Sequence, residues 1–190
     1  IPGAKTLVFV HGGYWQMFDK SSFHFIAGAF ADYGITTVIM NYPLAPAVSM
    51  DQIVASCRKA LHWLNENLER FNGDPGQIYL SGHSAGGHLA AMLLTTEEEP
   101  LNQNYVQGVC SISGVFDLIP IQRSKINEVV QMDIAMANRN SPVHLTPAGS
   151  CPLMIAVGLA ETDEFKSQSM ELYNAWKNKM NIVASIGQRV

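Results

Sequence analysis

Five short, continuously apolar runs, at residues 6–10, 35–40, 77–81, 106–112 and 152–157, alternate with longer segments of helical period. Strands covered by helices on both faces read as unbroken apolar runs, whereas strands with one wet face alternate. The pattern therefore specifies an α/β fold, a mostly parallel sheet flanked by helices. Helical periodicity spans residues 21–33, 50–71, 85–95 and 164–180. In the second of these Ile53, Cys57, Ala60, Leu61, Leu64 and Leu68 form one apolar stripe, and Asp51 near its start suits the helix dipole. Residues 182–186 read as the start of a further strand. Residues 114–150 break the rhythm, with a weakly helical middle at 126–137, and are expected to form a cap-like insertion over a pocket. The triplet Glu97, Glu98 and Glu99 before Pro100 reads as a solvated helix end.

With 190 residues, 47% hydrophobic and 15% charged, the chain can bury one core, so residues 1–190 are expected to form a single domain. A formal net charge of −4 and the lack of a basic run argue against nucleic acid as a partner. No apolar run reaches the roughly 18 residues of a membrane span. Three cysteines, Cys57, Cys110 and Cys151, stand far apart with no C-x-x-C pair. They read as structural thiols in a reducing, cytoplasmic setting rather than as a disulfide framework. Metal binding is not expected, because no H-x-x-x-H with a carboxylate lies on one helix.

The apolar run ending at Ser81 leads into Gly82-His83-Ser84-Ala85-Gly86-Gly87-His88, a G-x-S-x-G between a strand and a helix. A serine at that turn projects its hydroxyl above the sheet, and small flanking residues let strand and helix approach. The hydroxyl needs a base and an oxyanion site to react, and the helix opening at Ala85 offers a backbone N–H. A second strand runs into His11-Gly12-Gly13-Tyr14-Trp15, where adjacent glycines let backbone N–H groups turn toward an oxyanion. Either motif alone is weak, the second being a plain glycine turn on its blander reading; their joint occurrence in this order is specific.

Through H-G-G-Y-W-Q at residues 11–16 and G-H-S-A-G-G-H at residues 82–88 the sequence resembles the α/β-hydrolases, and within them the kynurenine formamidase and esterase/lipase group. Asn41-Tyr42-x-Leu44-x-Pro46, Ser113-Gly114-Val115-Phe116-Asp117-Leu118 and Glu164-Phe165-x-x-Gln168-Ser169 extend the likeness along nearly the whole chain. The resemblance implies a serine hydrolase that cleaves a small acyl group without a cofactor, typically formate from the arylformamide N-formylkynurenine. General carboxylesterases share the motifs and are the alternative. Its partner is a small-molecule aryl formamide or ester, and a homodimer is compatible with it. By the resemblance Ser84 is the nucleophile, with Gly12, Gly13 and Ala85 lining the oxyanion hole. The acid follows the strand at 152–157, where the group has an Asp four residues before the Phe; Glu161 stands there, and Ser-His-Glu triads exist. Asp163 is the alternative acid, its blander reading being a helix N-cap.

The base is expected after the acid, yet all six histidines, at 11, 24, 62, 83, 88 and 144, precede Glu161. His11 is expected to orient the oxyanion loop and His88 to be a buried, hydrogen-bonded ring. The expectation is a chain cut at both ends, starting at Ile1 on the H-G-G strand and stopping before the loop that carries the catalytic His. Without that His, a serine retains roughly 10³–10⁴-fold catalysis over water from the oxyanion hole and binding. A hydrolase-fold protein that only binds ligand is the second alternative. On the substrate side Tyr14, Trp15 and Phe116 are expected to line the pocket, although Tyr and Trp beside a strand end often fill core gaps instead.

Overall fold

The computed structural model describes residues 2–95, 105–148 and 151–187. Six strands, β1 (Ala4–Val10), β2 (Thr36–Met40), β3 (Gly73–His83), β4 (Val106–Ile112), β5 (Leu153–Gly158) and β6 (Ile182–Gly187), form one sheet. Their order is β2-β1-β3-β4-β5-β6, and every neighbouring pair is parallel. All five apolar runs and the run at 182–186 are therefore strands. β3 begins at Gly73, earlier than its apolar run, because the chain joins β1 across a register shift: Ala4 pairs with Gly73 but Thr6 with Ile78.

The helices are α1 (Phe25–Ala31), α2 (Met50–Asn67), α3 (Ala85–Met92) and α7 (Asp163–Trp176), with the short α4 (Ile119–Gln122), α5 (Asn127–Val130) and α6 (Ile134–Arg139) between β4 and β5. α2 starts at a capping box, Ser49 and Gln52 exchanging side-chain and backbone bonds, which satisfies two donors that a helix start leaves open. Its stripe of Ile53, Cys57, Leu61 and Leu64 is buried against the sheet. The expected helix at 21–33 divides into a 3-10 turn over Lys20–Phe23 and α1, because the Asp19 carboxylate accepts the Ser21 N–H and caps the turn. The N-cap position of α7 falls on Thr162, whose side chain makes no cap bond, and not on Asp163, whose side chain is fully exposed and reaches Lys166 at 3.3 Å. The three cysteines are free thiols, and burial pushes the Cys57 thiol up to about 12. The acidic triplet at 97–99 lies outside the described residues. Among the described residues no helix is long and apolar enough to cross a membrane.

The segment between β4 and β5 is knitted into the core. Val115, Phe116, Leu118, Val130, Met132 and Ala137 are all buried in it. Side chains satisfy its irregular backbone: the Gln168 carbonyl of α7 accepts the N–H groups of Phe116 (2.6 Å) and Asp117 (2.8 Å), and Ser141 Oγ accepts that of Leu118 (2.8 Å). Unpaired buried amides are costly, so these bonds fix where the segment leaves β4.

Candidate active site

β1 connects to β2 on one side of itself and the chain then returns to place β3 on the other. Where strand order reverses in an open α/β sheet, a crevice opens at the carboxyl ends of the strands. The H-G-G loop leaves β1 and the serine turn leaves β3 at that crevice, Val10 pairing with Gly82 in the last rung.

Ser84 sits at φ 55°, ψ −120° as the N-cap of α3, a left-handed conformation that costs on the order of 1–3 kcal/mol and must be held by its surroundings. Its N–H donates to Ile112 O of β4 (2.9 Å), and its carbonyl accepts the His88 N–H (3.1 Å). The glycines around it serve close approach. A Cβ on Gly82 would stand 2.2 Å from Gly86 O, and one on Gly86 only 2.0 Å from Val10 O. α3 thus lies directly against the ends of β3 and β1.

Gly12 is buried, and a Cβ there would stand 2.9 Å from His83 O and 3.2 Å from Ser84 Cβ. Gly13 turns the chain at φ 113° and accepts the N–H groups of Gln16 and Met17. Ala85, the buried first residue of α3, has no intrahelical partner for its N–H. The fold therefore brings Gly12, Gly13, Ser84 and Ala85 together. His11 is buried beneath them; its Nδ1–H donates to Gly12 O (2.8 Å), its ring stacks on Tyr42 at 4.3 Å, and Tyr42 donates to His11 O (2.9 Å). Burial holds the His11 pKa below the usual histidine value, outweighing the Gly12 bond that raises it.

Glu161 lies on the loop after β5 and is half-buried, accepting a 2.5 Å bond from Ser113 Oγ. Ser113, just past β4, is buried at φ 47°, and its N–H donates to Ala156 O of β5. Glu161 therefore faces inward at the carboxyl ends of the strands, whereas Asp163 points to solvent.

Two expected substrate contacts are corrected. Trp15 is fully buried, with its ring N–H donating to His88 Nδ1 (3.2 Å), and Phe116 is fully buried in the core. Neither presents a surface to a ligand, because long-range packing encloses both in the core. Tyr14 is half-buried and remains available. His88 is fully buried between Trp15 and Asn140. His62 approaches Glu66 and His144 approaches Asp117. Among the described residues no histidine ring is hydrogen-bonded to the side chain of Ser84 or Glu161, and no group of side chains is arranged to hold a metal. Two surface clefts, one around Pro2, Glu69 and Asp74 and one along β2 around Met40, Trp63 and Leu64, contain none of the site residues and are not bounded by the insertion. The strand-end geometry, rather than a cleft, locates the site. Ser113, His88 and Asn140 were not expected as site residues; the Ser113-Gly114-Val115-Phe116-Asp117 run was the only sign of the first.

The BD-FAE family model matches residues 2–176. The chain belongs to that family. This BD-FAE chain has an α/β-hydrolase fold: the crystal structure of a candidate thioesterase from Silicibacter sp. TM1040 superposes with TM-score 0.85 at 34% identity, covering 99% of this chain and 69% of that one. Esterase 2 of Thermogutta terrifontis superposes with TM-score 0.72 at 23% identity, over 98% of this chain and 73% of that one. Kynurenine formamidase of Salmo salar is 34% identical over 175 residues, which are 89% of this chain and 58% of that protein. The chain thus spans less than two thirds of that relative's length.

Proposed function

We propose that this chain carries the nucleophile and oxyanion site of a serine hydrolase that releases formate from an arylformamide, N-formylkynurenine, through an acyl-enzyme on Ser84. One observation carries the reading: Ser84 is held in a strained turn with Gly12 close to its Cβ, an arrangement that suits a nucleophile beside an oxyanion loop. Ser84 Oγ attacks the formyl carbon, its proton passing to a general base. The oxyanion is met by backbone N–H groups around Gly12, Gly13 and Ala85. Collapse breaks the C–N bond and the aryl amine leaves with a proton; water then attacks the formyl ester, releasing formate and restoring Ser84. Glu161 is the carboxylate that orients the base, supported by its inward position and its bond from Ser113. Tyr14 would meet the aromatic leaving group. No cofactor is required. The kinship with kynurenine formamidases and esterases supports hydrolysis; formamide over ester rests on the former.

A second reading, a hydrolase-fold binding protein, is favoured by one observation: among the described residues no histidine ring is paired with the side chain of Ser84 or Glu161. Both are tested on the gene product that contains this chain. Turnover of N-formylkynurenine above that of p-nitrophenyl acetate, with fluorophosphonate labelling of Ser84, is the expected result. Turnover of esters alone makes it a carboxylesterase, and absence of labelling favours the binding protein.

A further inference from the structure

Residues 12–18 form a tight, strained loop. Tyr14, Trp15 and Phe18 all have left-handed backbones, at φ 48°, 60° and 70°. Such conformations persist only where neighbouring structure over-determines them. The strongest restraint falls on Trp15. Its carbonyl accepts the Ala45 N–H (2.9 Å), and its indole N–H donates to His88 Nδ1, the two rings meeting edge to face at 5.1 Å. His88 in turn donates from Nε2 to Asn140 O (2.7 Å), and Asn140 donates to Asp51 Oδ1 (2.6 Å) at the start of α2. Since the indole can only donate and a carbonyl can only accept, the imidazole is the neutral Nε2–H tautomer, with both nitrogens satisfied. This ring rides on α3 one turn after Ser84, and the backbone N–H of His88 donates to the Ser84 carbonyl.

We propose that His88 is a positioning residue for the acyl-transfer step: through Trp15 it sets where the oxyanion loop stands relative to Ser84, and through Asn140 it ties the insertion to the same helix. This rests on the hydrolase reading above. Nucleophile and oxyanion glycines come from different strands, and the Trp15–His88 bond is a side-chain link between the loop and the nucleophile helix. An oxyanion donor acts on charge that develops in the transition state, so a displaced loop lowers kcat and leaves substrate affinity largely intact.

Three variants of the gene product that contains this chain test the proposal, with p-nitrophenyl acetate and N-formylkynurenine as substrates and fluorophosphonate titration to count folded sites. Trp15→Phe keeps an aromatic ring, smaller than the indole, and removes the donor; His88→Leu removes both bonds; His88→Asn restores an acceptor near Nδ1. A misplacement of this kind is expected to lower kcat per titrated site by about tenfold or more in the first two, with KM within about twofold, and to leave His88→Asn nearer the wild type. Hydrogen exchange at residues 13–18 should accelerate in Trp15→Phe and His88→Leu. Unchanged kcat in those variants of an active wild type overturns the proposal, as does a rise in KM alone. A wild type that turns over neither substrate overturns the hydrolase reading instead, and exchange then decides the mechanical tie: faster exchange supports it and unchanged exchange overturns it.

Discussion

Glu161 and Asp163 are two residues apart, yet the fold gives them opposite surroundings. Glu161 accepts the Ser113 hydroxyl at the strand ends, while the Asp163 side chain is fully exposed and touches Lys166. A carboxylate that orients a base must be inside the site, and its loss in serine hydrolases costs up to about 10⁴-fold. On the proposed hydrolase reading, Glu161→Gln in the gene product that contains this chain is expected to lower kcat by roughly 10³-fold, and Asp163→Asn to change it less than twofold, as steady-state kinetics would register; the reverse order would assign the proposed role to Asp163. His88 carries a pH dependence of its own. Burial, outweighing the Asn140 bond, lowers its pKa to about 4. The unfolded chain then takes up a proton near pH 6.5 while the folded chain does not, so stability falls as pH drops from about 6.5 to about 4, by at most about 1.4 kcal/mol per pH unit. Melting temperatures across that window should decline less steeply in His88→Asn than in the wild type.

At the scale of elements, the join of β3 to α3 is the most constrained part of the chain. Backbone meets backbone there, Gly86 lying where any Cβ would enter the Val10 and His11 carbonyls. Neither strand end nor helix can yield without breaking ladder bonds, so Gly86→Ala should cost about 3 kcal/mol, the upper end of the usual overpacking range. Urea unfolding would show this as a lowered midpoint with unchanged slope. The elements themselves were largely legible: strands buried on both faces leave unbroken apolar runs, and α2 left its stripe and its Ser49 cap. The short helices α4 to α6 were less so. Their bounds depend on single side chains that bond the backbone, as Asn127 does both to the N–H and to the carbonyl of Met132, and such bonds have no periodic signature.

For the molecule as a whole, the proposed site draws on the ends of β1, β3, β4 and β5, through Gly12 and Gly13, Ser84, Ser113 and Glu161. A site assembled from strands across one sheet should be lost only when the sheet is lost. In urea, fluorophosphonate labelling of Ser84 in the gene product that contains this chain is expected to disappear in the same transition as far-UV circular dichroism; earlier loss would mean that the site opens locally. The sequence by itself determined the parallel α/β architecture, the serine turn and the glycine loop, because periodicity and residue chemistry are properties of neighbours along the chain. Only the tertiary structure decided which carboxylate meets Ser113, that Trp15 and Phe116 are enclosed rather than facing a ligand, and that His88 links the glycine loop to the helix that follows Ser84. Each of those depends on residues far apart in sequence, such as Trp15 and His88 or Ser113 and Glu161, whose meeting is set by how the packed layers bring strand ends together.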